Sequence, residues 1–272
     1  MSLPLLVRSK IFWNYDGTLE CCWGHGWWDN ASVAKQDAYI RDCIKFGVNM
    51  VPHILLNEAA ASPFTGEFMA SGIDNRKVDL MVKYIERLKS HGIGSAIGLV
   101  DCPQISNPRY GFWNHLDRLA PFIEIAVKAF SPLADCFLLG CETCRGPLTI
   151  ELVEEGIGLM QSNAFKTING ERVRIPCGTH EVYVGWKNGK PYMKRRLPRN
   201  ADFIAIETCN HPFDGCNVSI ADMCTEVSLI ASNAGGRGVW VVESNEKEDD
   251  YARQQNRALA ELPGVIGVGG VM

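Results

Sequence analysis

The chain is predicted to fold as a (β/α)8 barrel, an α/β architecture, and three observations predict it. Eight short apolar runs alternate with longer amphipathic ones, the pattern of parallel strands joined by helical crossovers. The 272 residues suit a fold that commonly takes roughly 250. No strand is followed by the Gly-x-Gly-x-x-Gly turn that marks the competing dinucleotide-binding sheet.

Strands are expected at residues 6–13, 49–56, 94–101, 136–142, 172–179, 203–208, 238–243 and 265–271. Most are unbroken apolar stretches, as strands covered on both faces should be. Helices are expected at 33–46, 75–91, 112–130, 149–165, 220–233 and 250–262. The first follows the cap residue Ser32 and stops at Gly47; the second lies between Asp74 and Gly92. Two departures from an ideal barrel are predicted. After the fifth strand, Val182 to Lys187, then Asn188-Gly189, then Lys190 onward reads as a β-hairpin with a type I′ turn in place of a helix. The helix that would follow the eighth strand is missing. Both leave barrel wall to be covered, and a partner subunit is one candidate, which leaves a homo-oligomer open. With no internal repeat, low-complexity tract or linker, residues 1–272 are expected to form one catalytic domain.

Composition narrows the partners. An apolar fraction of 46% with 21% charged residues is that of a globular protein. A net charge of −4 offers no cationic excess to replace phosphate counterions, so no nucleic acid is expected. The short basic cluster Lys194, Arg195, Arg196 and Arg199 reads as a solvated loop edge. No apolar run reaches the ~20 residues that span a bilayer, so no membrane is expected. The first residues lack a basic leader and a cleavage site. Eleven cysteines without regular spacing read as reduced thiols, which places synthesis in the cytoplasm, with later release or virion association left open. Cys141 and Cys144 have CxxC spacing, but no second pair or His lies at zinc-site spacing, so no metal is assigned there.

In a barrel of this kind the chemistry lies at the C-terminal ends of the strands. Those ends carry Asn14, His53, Asp101, Glu142, His180, Glu207, Asn210 and Glu243. Glu142 and Glu243 stand out because each closes an otherwise uncharged strand, where an ion is costly unless paired or used. On strands four and seven they can flank one bond, and two carboxylates suffice for glycoside hydrolysis. Trp27, Trp28 and Trp186 fall in segments assigned to the same face, and sugars pack their apolar faces on indole rings.

On Glu142 and Glu243 the chain resembles glycoside hydrolase clan A, the retaining barrel glycosidases. The resemblance implies Glu142 as acid/base, Glu243 as nucleophile and no cofactor. The clan pattern is incomplete. Cys141 stands where Asn usually precedes the acid/base, Glu207-Thr208 where Tyr often closes strand six, and a glycine-rich strand end where a Trp commonly sits. A chitinase-type strand four is rejected, since Leu138 and Gly140 replace its two middle Asp residues. The expected function is therefore an O-glycoside hydrolase acting on a poly- or oligosaccharide by a two-carboxylate retaining mechanism. His180, Glu207 and Asn210 are expected to support the pair, with Asp101, His53 and Asn14 as sugar contacts. Two alternatives stay open: a non-catalytic carbohydrate-binding barrel, and a metal-dependent barrel hydrolase using His53, His180 and Asp101.

Overall fold

Fourteen strand segments and six helices are present in a computed structural model, which describes residues 7–9, 33–55, 64–65, 72–73, 75–100, 116–141, 149–208, 219–243 and 250–269. Eight of the strands close a parallel barrel. They are β1 (Val7–Ser9), β2 (Met50–Leu55), β5 (Gly94–Val100), β6 (Cys136–Cys141), β9 (Cys177–Glu181), β12 (Phe203–Glu207), β13 (Gly238–Glu243) and β14 (Val265–Gly269), neighbours in that order. The ring shuts where Val7 pairs with Gly267 on one side and Ser9 with Met50 on the other. The helices are α1 (Val33–Lys45), α2 (Asn75–Ser90), α3 (Leu116–Phe130), α4 (Ile150–Asn163), α5 (Ile220–Asn233) and α6 (Asp250–Ala260).

Local chemistry accounts for the helix ends. Gly47 and Gly92 take left-handed backbone at φ 65° and 74°, which ends α1 and α2. Behind them Val48 N–H reaches the carbonyl of Cys43 and Ile93 N–H that of Leu88, so the terminal carbonyls are satisfied. Thr149 caps α4 by accepting from Leu152 N–H, and Ser219 with Asp222 forms a reciprocal capping box on α5. The expected caps Ser32 and Asp74 lie outside the described residues.

The core has two layers. Inside the barrel, Met50, Ala96, Cys136, Leu138, Phe203, Ala205, Trp240 and Val242 form one cluster. The rings of Phe203 and Trp240, 6.2 Å apart, fill the space that the small residues leave. Outside it, the alternate strand residues, such as Ile97, Leu139, Ile204, Ile206, Val239 and Val241, pack beneath the helices. Gly156 lets α4 lie close on β6, since a Cβ there would sit 2.8 Å from the Leu139 side chain.

The hairpin after the fifth barrel strand is present as β10 (Val184–Lys187) and β11 (Lys190–Met193). Asn188 and Gly189 both have positive φ, 53° and 70°, as a type I′ turn requires. The fifth strand itself needs correcting. Residues 171–174 belong to a second hairpin, β7 (Phe165–Ile168) with β8 (Glu171–Arg174), turned by Asn169-Gly170 at φ 52° and 84°. The barrel strand therefore starts only after Pro176 and runs to Glu181, and α4 ends at Asn163 because Phe165 already enters β7. A short ladder, β3 (Phe64–Thr65) with β4 (Gly72–Ile73), precedes α2.

Candidate active site

Alternation decides which strand residues face the barrel axis. On β12, Phe203 and Ala205 belong to the inner cluster while Ile204 and Ile206 belong to the outer one, so Glu207 continues the inner row. On β9 a Cβ at Gly178 would meet the inner residue Phe203, which puts Gly178 and His180 on the inner face as well. His180 pairs with Ala205, one inner position below Glu207. His180 is fully buried, and Glu207 and Thr208 are each 2% exposed. Two ionisable side chains thus lie at successive inner levels of adjacent strands, out of water, at their C-terminal ends.

Both strands that lead to the expected catalytic glutamates slip in register at that end. On β6, Leu138 is level with Gly178 but Cys141 with His180, so three steps along β6 match two along β9. On β13, Val241 is level with Ile206 but Glu243 with Glu207, so one extra residue enters β13. An extra residue of this kind shifts the inward–outward phase of the strand beyond it, and such bulges commonly occur beside active sites. The backbone of Glu243 is consequently in register with the buried Glu207. β6 ends at Cys141, level with His180, and the next residue in the chain is Glu142.

The remaining expected residues divide. His53 lies in β2 beside a third slip, between Val51 and Ile54, where Pro52 has no N–H to lend to a ladder. β2 is opposite β12 in the ring. Asn14, Trp27, Trp28, Asp101, Glu142 and Asn210 lie outside the described residues, as do the side chains of His53 and Glu243. Trp186 is placed elsewhere than the inner row. Its indole N–H donates to Glu226 of α5 at 3.1 Å, and its ring packs on the outer core, so it fastens the hairpin to the helical layer.

Several polar residues near the rim went unread in the sequence. Glu181 is fully buried and pairs with Arg195 at 2.8 Å, so Arg195 is no solvated loop edge. Arg196 is likewise committed, to Glu151 and Glu154 of α4. Glu181 ends a strand, Cys177–Glu181, that carries no other carboxylate, Lys or Arg, a signal that could have found it. Glu226 had one too, because it falls on the helical stripe of Met223, Val227 and Ile230 and is fully buried with them.

No protein-family model matches the sequence, and no curated protein matches it. Solved structures do match in fold. A GH5_18 structure from Bifidobacterium longum subsp. longum ATCC 55813 has a TM-score of 0.66 at 14% identity, over 98% of this chain and 69% of that one. The GH5_18 structure from Streptomyces cattleya in complex with GlcNAc gives 0.63 at 14%, over 98% and 70%. The exo-beta-1,4-mannosidase Op5Man5 from Opitutaceae bacterium strain TAV5 gives 0.63 at 15%, over 98% of this chain and 51% of its own. At such identities the likeness is one of fold: the chain has the (β/α)8 architecture of these glycoside hydrolase structures.

Proposed function

We propose that the chain is an O-glycoside hydrolase of the retaining type, with Glu142 as acid/base and Glu243 as nucleophile. The observation that carries this reading is the register at the rim. A bulge brings Glu243 level with buried Glu207 on one side, while another ends β6 level with His180, immediately before Glu142. Glu142 would protonate the leaving oxygen while Glu243 attacks the anomeric carbon. Glu142 would then deprotonate the water that breaks the glycosyl ester. His180 and Glu207 would line the floor beneath the reacting sugar, and Trp27 and Trp28 remain the candidates for stacking platforms. No step calls for a cofactor. A substrate with a β-1,4-mannosyl linkage is the first to try, since related folds include a GH5_18 complex with Manb1-4GlcNAc and an exo-beta-1,4-mannosidase.

We also propose synthesis in the cytosol, a reading that the thiols support. Cys136 and Cys177 are buried free thiols, and burial holds the Cys136 thiol well above its ordinary range, where it is unreactive. Among the described residues no helix is long and apolar enough to cross a membrane.

A panel of aryl glycosides and disaccharides tests the mechanism on wild type, Glu243→Ala and Glu142→Ala. Glu243→Ala should abolish turnover, and azide should restore it with a product of inverted anomeric configuration. Glu142→Ala should still release good leaving groups, and azide should then give a product of retained configuration. Tight binding by all three proteins without hydrolysis by wild type would establish a carbohydrate-binding barrel instead. Hydrolysis that survives both substitutions would move the chemistry to other residues.

A further inference from the structure

We propose that Thr179, Glu181 and Arg195 form a positioning network for the acid/base carboxylate, by holding the bulge that sets where β6 delivers Glu142. The proposal rests on the assignment of Glu142 as acid/base and names residues which that assignment does not use.

The bulge and the network meet at one carbonyl. Two residues of β6, Leu139 and Gly140, stand where β9 has the single residue Thr179. Gly140 stays level with Val100 on β5, but the slip takes it out of the ladder on the β9 side, so another contact must fix its backbone there. The hydroxyl of Thr179 does so from β9, 3.4 Å from the carbonyl oxygen of Gly140, and Thr179 is 1% exposed. The same hydroxyl lies 3.3 Å from Oε1 of Glu181. It has one proton for two acceptors. Arg195 biases the choice. Its guanidinium reaches that same Oε1 at 2.8 Å, and this charge-assisted contact offsets the carboxylate's pull on the Thr179 proton, in favour of the carbonyl.

The geometry also explains why an ion pair is buried here. Thr179 and Glu181 occupy the outer face of β9, away from His180, where both are buried and Glu181 meets Arg195 from the segment after the hairpin. Arg195 lies two residues after the end of β11, with its guanidinium 5.8 Å from the ring of the fully buried Tyr183. A buried pair of this kind adds little net stability, but it discriminates between registers, because a slip of one residue would strand a charge. The network joins the segment after the hairpin to the end of β6 by way of the outer face of β9. It would act on catalysis only through Glu142.

The leaving group reports on that action. Thr179→Val removes the hydroxyl at nearly constant volume, and Thr179→Ser keeps it. Each is assayed with an aryl glycoside and a disaccharide of the sugar the wild type cleaves best, 2,4-dinitrophenyl β-mannoside and β-1,4-mannobiose being the first pair. Thr179→Val should lower kcat/KM on the disaccharide by about tenfold or more, a part of what a general acid supplies, and leave the dinitrophenyl substrate within about threefold. Thr179→Ser should restore the disaccharide rate. An equal loss on both substrates, no loss, or no rescue by Ser would overturn the proposal. If Thr179→Val does not fold, Arg195→Lys serves instead: it keeps the charge, loses the planar fork, and should show the same selective loss in weaker form. An unchanged leaving-group dependence in that variant overturns the proposal too. Should wild type hydrolyse nothing, the glycosidase reading fails, and a crystal structure of Thr179→Val still decides the network. Loss of the slip between Leu138 and Cys141 supports it; an unaltered register refutes it.

Discussion

The two ends of this barrel use acidic residues in opposite ways. At the N-terminal end an Asp stands just before each of two strands and ties down the strand next to it. Asp135, ahead of β6, accepts from the N–H of Ser95 on β5 at 2.9 Å and from Lys166 at 3.2 Å. Asp202, ahead of β12, accepts from the N–H of Cys177 on β9 at 2.8 Å and from both arms of Arg174 at 2.6 Å. The Asp202 carboxyl is pushed up by burial, yet Arg174 and the Cys177 N–H together bring it below its ordinary value. These acids are half-buried and matched by cations. At the C-terminal end Glu181 is matched by Arg195 on the outer face, but in the inner row His180 and Glu207 are buried, and the strands leading to Glu142 and Glu243 slip in register. In this fold the N-terminal face serves stability and the C-terminal face serves chemistry. Variants at the base should therefore change melting, whereas variants at the mouth should change turnover.

The largest test of that division lies between the two ends. Trp240→Ala empties the middle of the inner cluster and should cost about 3–5 kcal/mol in a urea titration, as large aromatic truncations in a core do. A loss below about 1 kcal/mol would mean that the inner layer is not what separates base from mouth. Next, Asp135→Ala removes the side-chain acceptor of the Ser95 N–H and leaves the Lys166 ammonium with the Ala134 carbonyl but no carboxylate there. It should cost about 1–3 kcal/mol, with kcat/KM of the folded protein unchanged. Turnover that falls while the midpoint stays put would break the comparison.

The smallest test concerns pH. The Arg196 guanidinium, with the Arg199 N–H, holds the Glu154 carboxyl down to about 2, against an ordinary 4.5. A lowered carboxylate contributes stability that is complete above its unfolded value and is lost as pH falls toward the folded one. The gap in denaturant midpoint between wild type and Glu154→Gln should therefore be widest above pH 4.5 and close as pH approaches about 2. A gap that widens on acidification would reverse the assignment.

Much of this architecture is legible in the sequence, and the exceptions have physical reasons. Strands such as 136–142 and 238–243 announce themselves because burial on both faces demands unbroken apolar residues. The hairpin at Asn188-Gly189 is readable from its turn. Its twin at Asn169-Gly170 carries the same dipeptide, but its charged strand residues Glu171, Arg172 and Arg174 look like the approach to a barrel strand. The bulges are not readable at all. A register slip belongs to the pairing of two strands, and neither β13 nor β12 alone encodes that Glu243 will stand level with Glu207. Trp186 shows the same limit. Its partner Glu226 lies 40 residues further along, and only the hairpin's position against α5 brings them together.

The closure of the barrel has a consequence for how the molecule is made. Beyond its pairing of Ser9 with Met50, β1 is held by Val7 to Ser9 meeting Gly267 to Gly269, the longest sequence separation of any pairing in the sheet. Such contacts form last, because the cost of closing the loop must be met before they reward it. During synthesis β14 is also the final described strand to emerge. Until it does, the partly built sheet presents the apolar edge of β13, whose Val239 and Trp240 would otherwise be covered. An unpaired apolar edge is a template for association between chains. Assembly of this protein should therefore be most vulnerable in the interval before its last strand docks, and a chaperone that shields that edge should raise the yield more than one that acts on the finished barrel.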